Sequence, residues 1–423
     1  MTQNQILFPD MAVVKQKLYK SCINNIPEII SSALSDISPF KNIKPGETIA
    51  IAVGSRGIDK INSVVLNCIQ FLKGKGLKPF IVPAMGSHGG ATAEGQEKTL
   101  EKLGITETSM GAPIFPEMET CSLDKLPCGL NIYFSKKALE ADHIVVINRI
   151  KPHTKFTEDI ESGLCKMLTI GLGKIDGAAE FHRFAIGNSF KIIEEAVAII
   201  LKKCNILFGL ALTEDGYGNL SHIETIDSSS LIEKEKNLLK DVYKKMSKIP
   251  FDNLDILIVD YIGKNISGIG MDSNITGRHI DITGDFKSSP HVKRIFVRDL
   301  DPDSDGNANG IGLADFTTKR LVNAVEFEKT YINALTAISP EKAAIPIYFD
   351  SDRQVLNACF QTIGLDSTVN ARIVRIKSTA SLELMEISKT LEKEINDNLG
   401  IEQISEWRPL QFNNNGNLIE LIG

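Results

Sequence analysis

Three segments near the start of the chain share one layout, a short apolar run closed by a glycine- or proline-marked loop. Residues 49–53 read IAIAV and end in Gly54-Ser55-Arg56-Gly57. Residues 78–85 read KPFIVPAM and end in Gly86-Ser87-His88-Gly89-Gly90. Residues 143–150 read HIVVINRI and end in Lys151-Pro152-His153-Thr154. Helical periodicity fills 61–76 and 91–104. Buried strands that alternate with helices predict a parallel sheet covered by helices.

The alternation continues with a helix over 190–203 and a strand over 206–215. A charged helix over about 231–247 follows, opened by Ser230 and Glu233 at capping-box spacing and stopped before Pro250. A new strand at 254–262 restarts the pattern, and 294–300, 343–350 and 371–378 read as further strands. The expected fold is α/β, with two α/β domains, 1–250 and 251–423, each a largely parallel sheet flanked by helices. In such sheets ligands bind beyond the carboxyl ends of the strands. Arg56, His88 and His153 all fall at that end, which places one cation and two imidazoles on one rim.

Composition narrows the function classes. The chain has 423 residues, 43% hydrophobic and 24% charged, with a net charge of −6. A pI near 5.8 leaves no electrostatic footprint for nucleic acid or an anionic membrane. The most apolar stretch, AVAIILKKCNILFGLAL, is cut by Lys202 and Lys203, too early to span a bilayer. The N-terminus has no signal-peptide layout, and the seven cysteines form no CxxC pair. A cytoplasmic protein acting on a small molecule is expected.

A lone histidine is most often a surface or satisfied core residue. His88 and His153 differ because both lie in loops at the ligand edge, where imidazole can exchange a proton near neutral pH. Two such groups suit a racemase or epimerase, which works on both faces of one carbon. Lys166 lies among Leu, Cys, Met and Ile, so it is either a snorkelling lysine or one tuned for covalent chemistry at nitrogen. His182 offers a single imidazole to a metal, without a second ligand at metal-site spacing. Gly171 and Gly173 break the dinucleotide fingerprint by one residue, yet leave room for a phosphate near a helix start. Asp301-Pro-Asp303-Ser-Asp305-Gly306 imitates a calcium loop but lacks its closing Glu, and reads as a turn.

Taken together, GSRG, GSHGGATAEGQ, KPHTKFTEDIESGLCKMLTIGLGK, EFHR and GKNISGIGMDSNITGR resemble the nickel-dependent lactate racemase family. The resemblance implies two α/β domains with the active site in the cleft between them. It also implies a nickel-pincer nucleotide, the pyridinium-3-thioamide-5-thiocarboxylic acid mononucleotide of nickel, and hence cofactor biosynthesis proteins as partners. By position, Lys166 is similar to the lysine that joins the cofactor through a thioamide, and His182 to the protein ligand of nickel. His88 and His153 match the paired acid/base histidines, and Arg56 the arginine that binds the substrate carboxylate. The implied activity is an isomerase that moves the α-hydrogen of a 2-hydroxy acid as hydride to the cofactor and back.

The departures fall on the substrate side. Val53 stands where the family has an Asp, and Asp272-Ser-Asn274 is not followed by the family's Gln and Lys. Lys264 or Arg278 is the candidate replacement for the lost cation. Glu158, Asp159 and Glu161 sit in a longer loop after His153. The expected substrate is therefore a 2-hydroxy acid other than lactate. A hydroxyacid oxidoreductase using the same cofactor, or a non-catalytic binder of it, are the alternatives.

Overall fold

The computed structural model describes residues 7–21, 23–35, 43–55, 57–280, 282, 286, 289–396 and 400–420. The chain divides into two compact units. One is Tyr19–Met246, and the other joins the segment ending at Leu18 to the segment beginning at Ser247. The sequence places residues 1–250 in the first unit, but β1 (Asp10–Gln16) is a strand of the second.

The unit 19–246 contains β2 (Thr48–Val53), β3 (Lys78–Pro83), the hairpin β4 (Thr120–Lys125) and β5 (Asn131–Ser135), β6 (His143–Arg149), β7 (Ile206–Glu214) and β8 (Leu220–Asp227). Its main sheet runs β3-β2-β6-β7-β8, parallel up to β7, with β8 antiparallel on the edge. Alternate residues of the same strands feed two separate cores. Ala50, Ala52, Val82 and Val146 face one, while Ile49, Ile51, Val53, Ile81 and Val145 face the other. Two buried faces explain why these strands read as unbroken apolar runs.

Helix Ile61–Gly74 covers one face with Val64, Val65, Cys68 and Leu72. Helix Ile192–Lys203 covers the other with Ile193, Ala196, Val197 and Ile200. The helix expected from residue 91 starts at Ala93, because Thr92 caps it by accepting the Gly95 N–H at 3.1 Å. Helix Leu231–Lys245 departs from its sequence signature, since Ser230 makes no side-chain cap. A 3₁₀ turn over Ser228–Ser230 leads into it instead, capped by the Asp227 carboxylate, which takes the Ser229 N–H at 2.9 Å.

The second unit continues with β9 (Asn253–Ile262), β10 (His291–Leu300), β11 (Phe316–Thr318), β12 (Ile347–Phe349), β13 (Ile373–Ser378), β14 (Ser381–Ser388), β15 (Ile401–Gln403) and β16 (Arg408–Pro409). Among the described residues its sheet runs β12-β11-β10-β9-β13-β14-β1-β15, with β16 also on β1. The strands from β12 to β13 are parallel, and β14, β1 and β15 turn antiparallel. The structure therefore has the α/β architecture expected, with largely parallel sheets flanked by helices. Asp301–Gly306 is a turn as expected, with a 3₁₀ segment over Pro302–Ser304 and Asp305 in the left-handed region. Among the described residues no helix is long and apolar enough to cross a membrane.

Candidate active site

In the first unit the chain starts at β2, steps to β3 on one side, then returns to β6 on the other. An open parallel sheet leaves a crevice where its strand order reverses, beyond the carboxyl ends of the strands. Here that point lies between β2 and β6. The loops leaving β2, β3 and β6 are the ones that carry Ser55, His88 and His153.

His88 follows β3 in a loop fixed from two sides. Its Nδ1 hydrogen-bonds the Ser55 Oγ at the end of β2. Its carbonyl and that of Gly86 accept from Gln96 Nε2 at 3.3 and 2.9 Å. Gln96 is fully buried, and its Oε1 accepts from Lys174 Nζ at 3.1 Å. Lys174 also donates to the Pro83 carbonyl at 2.6 Å, and burial pulls its pKa down to about 8.

His153 follows β6 in a loop whose ends meet through the Lys151 and Ser162 backbones. The Lys155 N–H donates to His153 Nδ1 at 3.1 Å, so Nε2 carries the proton of the neutral ring. The ring stacks on Phe156 with centroids 4.3 Å apart, and Phe156 stacks on Phe190 at 3.9 Å. His182 meets Phe190 edge-on at 6.3 Å. Phe190 therefore stands next to both histidines.

Lys166 ends a short helical turn, Leu164–Lys166, and is itself half-buried. The next five residues, Met167–Gly171, form a π-helical turn in which the Leu172 N–H reaches back to the Met167 carbonyl at 2.8 Å. Such turns cluster at functional sites. Leu164, Cys165, Met167 and Leu168 around Lys166 are buried. Asn148 at the end of β6 ties this segment down by donating to the Gly163 carbonyl at 2.9 Å. At its far end the Gly171 carbonyl accepts the Gly86 N–H of the His88 loop at 3.1 Å. The lysine turn is thus bonded to the segments that lead into both histidine loops.

Gly171 and Gly173 have a packing reason to be glycine. A Cβ on Gly171 would lie 2.8 Å from the Ala84 carbonyl oxygen, and one on Gly173 would lie 2.3 Å from that of Thr169. Gly173 leads into helix Lys174–Asn188, which carries His182; a helix start near these glycines is expected from the sequence, but its extent is not. Two buried carboxylates behind the site were also missed in their roles. Glu161 packs within the His153 loop, and Glu235 accepts from the Lys166 turn. Burial pushes both up to about 7. A glutamate in a charged helix gives no sequence signal that it faces inward.

Of the other candidates, Arg56 lies outside the described residues. Lys264 and Arg278 belong to the second unit. Lys264 donates to Asn333 Oδ1 at 2.7 Å. Arg278 pairs with Asp315 at 2.7 Å and donates to the Val292 carbonyl at 2.9 Å. Among the described residues no three His, Cys, Asp or Glu side chains gather into a metal-ligand group.

No family model matches the chain, and no curated protein does. Solved structures share its fold. A Thermotoga maritima protein from a structural genomics programme matches with a TM-score of 0.50 at 15% identity, over 82% of this chain and 92% of that one. The lactate racemase apoprotein from Thermoanaerobacterium thermosaccharolyticum matches with a TM-score of 0.50 at 13% identity, over 79% and 95%. At such identities the likeness is one of fold.

Proposed function

We propose that the protein is a racemase or epimerase of a 2-hydroxy acid other than lactate, with a nickel-pincer nucleotide joined to Lys166. The observation that carries this reading is the pair His88 and His153. They stand on loops that leave strands on either side of β2, and each ring is oriented through its Nδ1. The likeness in fold to a lactate racemase supports the same reading.

The residues fit the cofactor by the chemistry of the donor set. A nucleotide that brings most of its own metal ligands needs one protein nitrogen, and half-buried His182 beside Phe190 offers one. A thioamide at Lys166 would be uncharged, which suits a side chain set among buried apolar neighbours. Lys166 would anchor the group and His182 would complete the metal's coordination. When bound, the group supplies the acceptor and donor of hydride.

The chain's own residues do the rest. His88, with Nδ1 on Ser55, takes the hydroxyl proton at Nε2. His153 presents Nε2–H to the same oxygen, and the pair exchange roles for the opposite configuration. Phe156 and Phe190 keep an apolar wall beside His153 and His182, which strengthens polar contacts made there. Arg56 would hold the substrate carboxylate, where a guanidinium fork orients as well as attracts it. Lys264 and Arg278 remain the candidate cations of the second unit.

The test is the mass of the Lys166 peptide, with bound nickel measured alongside, in protein made together with the cofactor's biosynthetic enzymes. A nucleotide-sized adduct with stoichiometric nickel supports the reading, and enantiomer exchange can then be screened across 2-hydroxy acids. Unmodified Lys166 without nickel overturns it. An adduct with oxidation but no exchange would make the protein an oxidoreductase.

A further inference from the structure

The loop that offers His153 is irregular, and its backbone N–H groups must still find partners. Glu161 supplies them from inside the loop. It is 1% exposed. Its Oε2 accepts the His153 N–H. Its Oε1 accepts the Glu158 N–H at 3.2 Å and the phenol of Tyr243 at 2.8 Å. Tyr243 comes from helix Leu231–Lys245, outside the loop. The Glu158 carboxylate, pointed elsewhere, accepts from Ser189 Oγ at 2.7 Å.

We infer that Glu161 is a positioning residue for His153, fixing the loop backbone so that the imidazole keeps one orientation over Phe156. The inference rests on His153 being an acid/base group of the proposed reaction. Proton transfer tolerates little displacement, and a misplacement of about 1 Å costs on the order of 10²-fold in rate. Stacking on Phe156 fixes the plane of the ring but leaves it free to slide. The backbone bond to Glu161 sets where the ring is attached, and the Lys155 N–H then sets its rotation.

The carboxylate performs this task at a cost. Three donors favour its charged form, yet burial outweighs them and pushes its pKa up to about 7. His153 and Glu158 of its own loop bond to it through backbone N–H groups, and Tyr243 of the packed helix through its phenol. A glutamine would keep the shape but replace one acceptor oxygen with a donor. Either the His153 N–H or the Glu158 N–H would then lose its acceptor, since only the Tyr243 hydroxyl can turn round to accept from an amide.

The experiment compares the wild type with Glu161→Gln and, should that variant fail to fold, with Tyr243→Phe, which removes one donor and leaves the carboxylate. Nitrogen NMR of the His153 ring in the unloaded protein reports whether Nδ1 still accepts a hydrogen bond. In protein carrying the adduct, kcat and KM are measured separately. Expected is loss of the Nδ1 signature together with a fall in kcat of about 10²-fold in Glu161→Gln, with KM changed by less than about threefold. Tyr243→Phe should shift both readouts the same way but less. An unchanged ring signature overturns the inference, and so does a changed signature with unchanged kcat. If the loaded wild type turns over no 2-hydroxy acid, the functional reading fails by itself, and the ring signature still decides whether Glu161 positions His153.

Discussion

Glu235 on helix Leu231–Lys245 accepts the backbone N–H of Cys165 across 2.9 Å, and so buttresses the turn that carries Lys166. The carboxylate is buried and stands opposite the residue next to the proposed attachment point. The same helix sends Tyr243 to Glu161. One charged surface helix therefore braces both the lysine turn and the His153 loop from behind.

These buried groups should leave a mark on stability against pH. Glu161 and Glu235 titrate near 7 in the fold against 4.5 ordinarily, because burial disfavours their charged forms. The folded state therefore holds their protons longer than the unfolded state does. Their contribution to stability is full below about pH 4.5 and is lost as pH rises through about 7, about 3 kcal/mol for each group. Lys174 works the other way, titrating near 8 against 10.5, so stability should recover between those values. Urea midpoints taken from about pH 5 to about pH 9 should pass through a minimum near pH 7.5; above about pH 9 the thiols of Cys68, Cys165, Cys204 and Cys359, all raised by burial, lower stability again. Glu235→Gln should flatten the acid-side fall, and an unchanged slope in that variant would refute the assignment.

Gly173 makes a steric prediction. A methyl there meets the Thr169 carbonyl oxygen at 2.3 Å and Gly177 Cα at 2.9 Å, both backbone atoms that cannot swing aside. Gly173→Ala should cost about 1–3 kcal/mol, read as a lowered Tm. Gly74 is the contrast, at the end of a helix with nothing within 4 Å of an added Cβ. Gly74→Ala should raise Tm slightly, because alanine gives up less backbone entropy in a helix.

Anchor and metal ligand should separate on mass and metal analysis. Lys166→Ala should abolish both the adduct and nickel retention. His182→Ala should keep the nucleotide-sized adduct and lose most of the nickel on gel filtration. Full nickel retention in His182→Ala would remove that residue from the coordination assigned to it.

The histidine pair is best examined in both directions. His88→Ala and His153→Ala should each lower kcat/KM by about 10²- to 10⁴-fold, the range for loss of a positioned acid or base. Thermodynamics then fixes a check. The ratio of kcat/KM for the two configurations equals the equilibrium constant, so no substitution can change it. A ratio that moves would show that product is leaving by another route, such as oxidation. Ser55→Ala should act in the same sense as His88→Ala but weakly, since it removes only the partner of Nδ1.

Strand and helix identity in the first unit could be read from the chain because it is a local property. Short runs such as IAIAV and HIVVI, rich in β-branched residues and closed by turn residues, read as strands buried on both sides. The loops that follow them carry Ser55, His88 and His153, and the carboxyl-end rule places those loops on one rim before any coordinate is known. The extent of helix Lys174–Asn188 is not legible, because Gly177 looks like a loop residue until it is seen packed against the Thr169 carbonyl.

Tertiary structure decided what depends on partners distant in the chain. β1 belongs to the second unit because Met11 through Lys15 pair with Ser388 through Leu384, a contact that no local pattern encodes. Glu161, Glu235, Gln96 and Lys174 are polar residues by sequence, and only the fold shows that they are buried and where their bonds end. The sequence alone determined which side chains sit at strand ends, since alternation and turn chemistry act over a few residues. What holds those side chains in place was decided by packing between elements distant in the chain, 91 residues apart for Lys174 and Pro83, because burial and hydrogen-bond satisfaction are properties of the closed fold.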